Sequence, residues 1–175
     1  SPMSRGLGDV YKRQAQVNAW MAEPVGTDAL LAVQQPIVRA LLSDAAPMPA
    51  AQELVTHCHN RNIPMALVTS SSRDAVEFKA APHPWLEQIQ ERVYGDDPDL
   101  DAGKPDPAPF RLAAQRLGLH PNHCWALEDS QAGCQSAHGA GCQVWLVSPK
   151  GSDQANLNTN PCSINSLAVV LRLLS

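Results

Sequence analysis

The sequence predicts an α/β fold with a parallel sheet, and two observations predict it. Short apolar runs bounded by turn residues recur at 63–68, 124–128 and 143–147, and amphipathic helical patterns lie between them. Residues 15–46 come first and read as one or two helices. Leu30, Leu31, Val33, Ile37, Val38, Leu41 and Leu42 are spaced to line one broad apolar face there. Pro47 and Pro49 break the chain, and 50–61 reads as a further helix leading into Ile63-Pro64-Met65-Ala66-Leu67-Val68. That run suits a buried parallel strand. A helix is expected from Arg73, and Glu91-Arg92-Val93-Tyr94-Gly95 reads as a short strand entering an acidic loop. Pro109 can start the next helix and Gly118 can end it. Strands follow at 124–128 and 143–147, separated by a helix that Gly139 or Gly141 closes. The segment 151–161 is polar and loop-like, and a last helix is expected over 166–174.

Bulk properties narrow the function classes. With 175 residues, 44% of them hydrophobic, the chain can bury one real core, or one core plus part of another. A formal net charge of -4 without a Lys/Arg cluster leaves no electrostatic footprint for nucleic acid or an anionic membrane. No apolar run approaches the roughly 20 residues that span a bilayer, and a signal-peptide core is lacking, so a cytoplasmic protein is expected. Five cysteines without Cys-x-x-Cys suggest reduced packing residues, not a disulfide framework or a zinc site. His57-Cys58-His59 and His120-x-x-His123-Cys124 have metal-like spacing but no complete ligand set, and read as surface histidines. Residues 1–14 carry no apolar period. They resemble translated adaptor sequence, which would put the cut in the native gene near residue 14; the alternative is a disordered natural terminus.

Three local signals carry chemistry. Thr69-Ser70-Ser71-Ser72 closes the 63–68 strand, and hydroxyls followed by backbone N–H groups that open a helix make a cradle for phosphate oxygens. Taken alone, such a serine cluster is more often a helix cap than a phosphate site. Lys104 stands in Gly103-Lys104-Pro105-Asp106-Pro107, a stiff turn that can aim one long cation inward. At roughly 4 Å and an effective dielectric near 20, its attraction to one anion is worth about 4 kcal/mol. Glu128 and Asp129 are adjacent carboxylates at a strand end, where like charges are costly unless a cation is near. Mg²⁺, which takes one or two carboxylates plus water and substrate phosphate, answers that conflict. In open α/β folds such groups gather outside the carboxyl ends of the strands.

In order and wording these signals resemble motifs two, three and four of the haloacid-dehalogenase-like phosphohydrolases, over 49–147. Gly95-Asp96-Asp97-Pro98 with Gly-Lys-Pro-Asp-Pro is similar to the branch containing β-phosphoglucomutase, sugar-phosphate phosphatases and pseudouridine-5'-phosphatase-like enzymes. The resemblance implies a Rossmann-like three-layer sandwich with a parallel sheet, and a Mg²⁺-dependent phosphatase of small phosphorylated metabolites. It implies that Thr69 and the Ser70 N–H contact the phosphoryl group, that Lys104 bridges phosphate and nucleophile, and that Asp129, with Glu128 beside it, holds Mg²⁺. It also implies a division into 1–14, a helical cap remnant at 15–46, and a core at 47–175. A mutase of the same fold and a non-catalytic phosphate-ligand-binding protein are the alternatives.

The chain departs from the family at its first motif, Asp-x-Asp, whose first aspartate attacks phosphorus and whose second serves as acid and base. Only Asp9, Asp28 and Asp44 precede the Thr69 strand, and none forms that motif after an apolar run. Asp99-Leu100-Asp101 has the spacing but follows Pro98 in an acidic loop. The expectation is an incomplete core lacking its first strand, with a slot about 9–10 Å wide between the Thr69 and Glu128 strands, and no turnover by the chain itself.

Overall fold

The computed structural model of the chain describes residues 46–175. The segment 1–14 and the helical stretch expected at 15–46, Ala46 apart, lie outside the described residues. The elements run α1 (Ala51–Asn60), β1 (Ala66–Val68), α2 (Arg73–Ala80), β2 (Glu91–Val93), α3 (Ala108–Arg116), β3 (Trp125–Glu128), α4 (Gln131–Ala140), β4 (Gln143–Ser152), β5 (Cys162–Ile164) and α5 (Leu167–Leu174). Short 3₁₀ turns at Pro84–Gln88 and Pro121–His123 precede β2 and β3.

Every described strand pair is parallel, including β4 and β5, which no helix separates. Among the described residues the strands form two sheets, β1-β2 and β3-β4-β5. The larger sheet is covered on both faces where β4 crosses it. Trp145 and Val144, neighbours that point to opposite faces, are both fully buried. Trp145 packs with Leu54 and Cys58 of α1, Ile164 of β5 and Leu167, Val169 and Val170 of α5. Val144 packs with Ala126 of β3, Phe110 of α3 and Cys134 and Ala137 of α4. Burial on both faces is why 143–147 reads as a continuous apolar run.

Several expectations need correction. The run 63–68 forms a strand only over Ala66–Val68, and all three residues are half-buried instead of buried. β1 pairs with β2 alone among the described residues, and of the six residues in these two strands Val93 alone is buried. β4 continues to Ser152, past the apolar run, because it pairs with β5 as well as β3. β5 was not expected at all: Cys162-Ser163-Ile164 is too short to show a period, though both apolar residues are buried. Of the two candidate glycines, Gly141 closes α4, with a φ of 99° that disfavours other residues. Gly118, at φ 68°, follows α3 as expected. Ser72, Ser130 and Ser166 each cap the helix that follows them.

The cysteines are free, as expected, and all but the half-buried Cys124 are buried. Burial pushes the Cys142 thiol up to about 11 and raises those of Cys58, Cys124 and Cys134. No helix of the described residues is long and apolar enough to cross a membrane.

Candidate active site

Lys104 draws the two sheets together. Its ammonium donates to the Val68 carbonyl at the end of β1 at 3.1 Å, and to Glu128 Oε1 at the end of β3. The Lys104 and Glu128 side chains keep only 10% and 8% of their exposure, so this ion pair is sheltered from solvent. The ammonium also lies 5.1 Å from the centre of the Phe110 ring on α3. The Gly103 carbonyl accepts from Asp106 N, and Asp106 Oδ1 accepts at 2.9 Å from the N–H of Ala108, the first residue of α3, so the turn is fixed on both sides of the lysine. Lys104 is therefore aimed inward, as its flanking glycine and proline suggest.

The hydroxyl loop lies at the end of β1. Thr69 N donates to Val93 O at 2.9 Å, and Thr69 Oγ1 accepts from Ser71 N at 3.1 Å. Gly95 N donates to Ser71 O at 2.8 Å, and a Cβ at Gly95 would run into the Ser70 carbonyl. A glycine at 95 is thus what lets the β2 loop close against the serine loop. Thr69 is half-buried and Ser70 is exposed.

The two carboxylates are differently placed. Glu128 is buried, and its Oε2 accepts from the Ser130 hydroxyl at 3.3 Å. That hydroxyl also accepts from Gly133 N at 3.1 Å, so the carboxylate sits over the first turn of α4, where the helix dipole favours negative charge. Asp129 is exposed. No group of three or more His, Cys, Asp or Glu side chains capable of holding a metal occurs among the described residues. Of the acidic pair, only Asp129 faces open solvent, while both oxygens of Glu128 already have partners in Lys104 and Ser130.

A second polar cluster, which the motifs do not announce, fixes the loop that runs from β2 to Lys104. Arg116, the last residue of α3, donates to both oxygens of Asp97 at 2.7 and 2.8 Å, to Asp99 at 2.8 Å and to the Arg92 carbonyl at 2.8 Å. The hydrogen bonds from Arg116 hold the Asp97 carboxyl below the usual aspartate range, against the opposing effect of burial. Asp96 accepts from Arg73 N at 2.9 Å and so ties the same loop to α2. The signal in the sequence was a run of carboxylates with one arginine about a helix away, too common a pattern to single out.

His57 pairs with the Leu174 carbonyl at 3.2 Å, and His120 accepts from Asn122 N at 3.4 Å in the 3₁₀ turn. Both have hydrogen-bond partners within the fold.

The haloacid dehalogenase-like hydrolase model matches residues 9–141. The chain belongs to the haloacid dehalogenase-like hydrolases. It is 36% identical over 128 residues to the "Probable pseudouridine-5'-phosphatase" of Drosophila melanogaster, covering 71% of this chain and 55% of that protein. It is also 36% identical over 124 residues to hexitol phosphatase A of Escherichia coli K12, covering 69% of this chain and 54% of that protein. The chain therefore spans about half the length of these relatives. A solved haloacid dehalogenase-family hydrolase of Deinococcus radiodurans R1 superposes with a TM-score of 0.69 at 23% identity, over 92% of this chain and 72% of that one. That likeness supports the Rossmann-like α/β fold.

Proposed function

We propose that the parent protein is a Mg²⁺-dependent phosphatase of small phosphorylated metabolites, and that this chain carries the phosphate-binding half of its machinery. The observation that carries the reading is the position of Lys104, whose ammonium lies where the ends of β1 and β3 converge. The hydroxyl loop and the acidic pair then lie at those two strand ends, where an open α/β fold gathers ligand. The relatives named as pseudouridine-5'-phosphatase and hexitol phosphatase point to phosphorylated sugars and polyols as the substrate class.

In this reading Thr69 Oγ1 and the Ser70 N–H receive phosphoryl oxygens, and Lys104 neutralises them. Asp129, with Glu128 beside it, would hold Mg²⁺, which supplies charge neutralisation at the phosphoryl group when bound. The division into a segment at 1–14, a helical cap remnant at 15–46 and a core at 47–175 belongs to the same proposal, as does a cytoplasmic location. Turnover needs a nucleophile, and the sequence holds no Asp-x-Asp after an apolar run before Thr69. General acid–base help alone gives about 10²–10⁴ in rate, far short of what phosphate-monoester hydrolysis demands. The 175-residue chain is thus expected to bind phosphate without hydrolysing its esters.

Calorimetric titration with orthophosphate in the presence of Mg²⁺ tests this. Binding should weaken at least about tenfold in Lys104→Met, the effect of losing roughly 1.4 kcal/mol from one charge-assisted contact. Equal affinity in the two proteins sinks the assignment of Lys104. Mg²⁺-dependent hydrolysis of p-nitrophenyl phosphate by the purified chain sinks the claim that it lacks turnover.

A further inference from the structure

Gly133 lies inside α4, in ordinary helical backbone, where glycine is destabilising relative to alanine and no turn calls for it. It is buried, and the reason for a missing side chain is spatial. A Cβ built there would fall on the Glu128 carboxylate, inside van der Waals contact with both oxygens and the carbon between them, Oε1 being 2.7 Å away. The other glycine of the same helix, Gly139, would place a Cβ 3.5 Å from Pro107 Cβ, an ordinary contact.

We propose that Gly133 is a positioning residue of the site: its bare Cα forms the seat of the Glu128 carboxylate and thereby sets the aim of Lys104. The carboxylate rests on the first turn of α4, with Oε2 toward the Ser130 hydroxyl and Oε1 toward the Lys104 ammonium. Ser130 is itself held by Gly133 N, so one residue supplies both the space for the carboxylate and the N–H that fixes its hydroxyl partner. A methyl group at 133 pushes the carboxylate off the helix. Among the described residues the ammonium then keeps the Val68 carbonyl and the Phe110 ring as partners. The inference rests on the proposed function only in calling this place a site; the seat itself is a matter of geometry and needs neither phosphate nor metal.

A double-mutant cycle on the full chain tests it by thermal unfolding, together with the acetylation rate of Lys104 under limiting acetic anhydride, read by mass spectrometry against Lys79 and Lys150. Gly133→Ala should lower Tm by about 2–4 °C or more. It should also raise Lys104 acetylation about tenfold, the change that losing roughly 1.4 kcal/mol from one charge-assisted contact gives, with Lys79 and Lys150 unchanged. In a Glu128→Ala background the sign should reverse. The carboxylate is gone, so alanine at 133 should be neutral or should raise Tm through its helix propensity. Gly139→Ala should leave Lys104 labelling unchanged. Equal destabilisation by Gly133→Ala in both backgrounds overturns the proposal, as does unchanged Lys104 labelling in a folded Gly133→Ala protein. If Gly133→Ala alone does not fold, the comparison of Glu128→Ala with Glu128→Ala/Gly133→Ala decides: a double variant no less stable supports the seat, and a less stable one overturns it. Failure of phosphate binding would leave these outcomes untouched, so the two readings fail separately.

Discussion

The two sheets that meet at Lys104 are built to different standards. In the β3-β4-β5 sheet, Val144, Trp145 and Ile164 are fully buried, and helices cover both faces at β4. In the β1-β2 sheet each strand has three residues, and β1 is half-buried along its whole length. The site takes Glu128 from the firm sheet and the hydroxyl loop from the lighter one. The acidic half has Glu128 buried and held by Lys104 and Ser130, and Asp129 exposed. The hydroxyl half depends more on loop hydrogen bonds and on the one ammonium that reaches both.

The largest expected difference is in the cores themselves. Trp145→Ala should cost about 3–5 kcal/mol, since a fully buried indole leaves a cavity that its surroundings fill only in part. Leu67→Ala, at the middle of half-buried β1, should cost less than about 2 kcal/mol, the low end for a buried leucine. Urea unfolding checks both through the midpoint at constant slope. Equal costs would erase the distinction between the sheets.

That distinction also explains how much the sequence disclosed. The start of β4 was legible because burial leaves an apolar run between turn residues, and β3 was legible by the same apolar run although Trp125 and Leu127 are exposed. The 63–68 run predicted the right element, but only three of its residues pair, because a half-covered strand stops where its hydrogen-bond partner stops. β5 was invisible, since two buried residues in three carry no measurable period. Within the proposed site, Thr69, Lys104 and Glu128-Asp129 could be singled out by residue type, because the phosphate chemistry proposed for them calls for a hydroxyl, a cation and carboxylates. Their supports were hidden. That Gly133 must yield space to Glu128, and that Arg116 must clamp Asp97, depends on distances no spacing reveals.

A smaller effect concerns the clamp on the lighter side. Asp97 is buried and paired with Arg116, and its carboxyl titrates below the ordinary aspartate value when folded. A lowered folded pKa adds stability above the unfolded value of about 3.9, and that stability is lost as pH falls from there through the folded pKa. Asp97→Asn should therefore cost about 1–2 kcal/mol at pH 7, the amide keeping part of the hydrogen bonding. The gap from the unmodified chain should narrow as pH drops below about 4. A gap independent of pH would mean that the pair contributes shape and not charge. Denaturation midpoints across pH 3–7 make the comparison.

The smallest expected effect sets two helix caps against each other. Ser130 accepts from Gly133 N at 3.1 Å and donates to Glu128, whereas Ser72 accepts from Ala75 N at 3.4 Å. Both serines are exposed, but Ser130 serves α4 and a buried carboxylate together, while Ser72 caps α2. Within the roughly 0.5–2 kcal/mol range for losing a serine cap, Ser130→Ala should fall near the top and Ser72→Ala near the bottom. Threonine at 130 should recover most of the loss, because its hydroxyl can both accept and donate as serine's does. If the two alanine variants unfold at the same denaturant concentration, Glu128 draws nothing from Ser130. Its position would then rest on Lys104 and the bare Cα of Gly133.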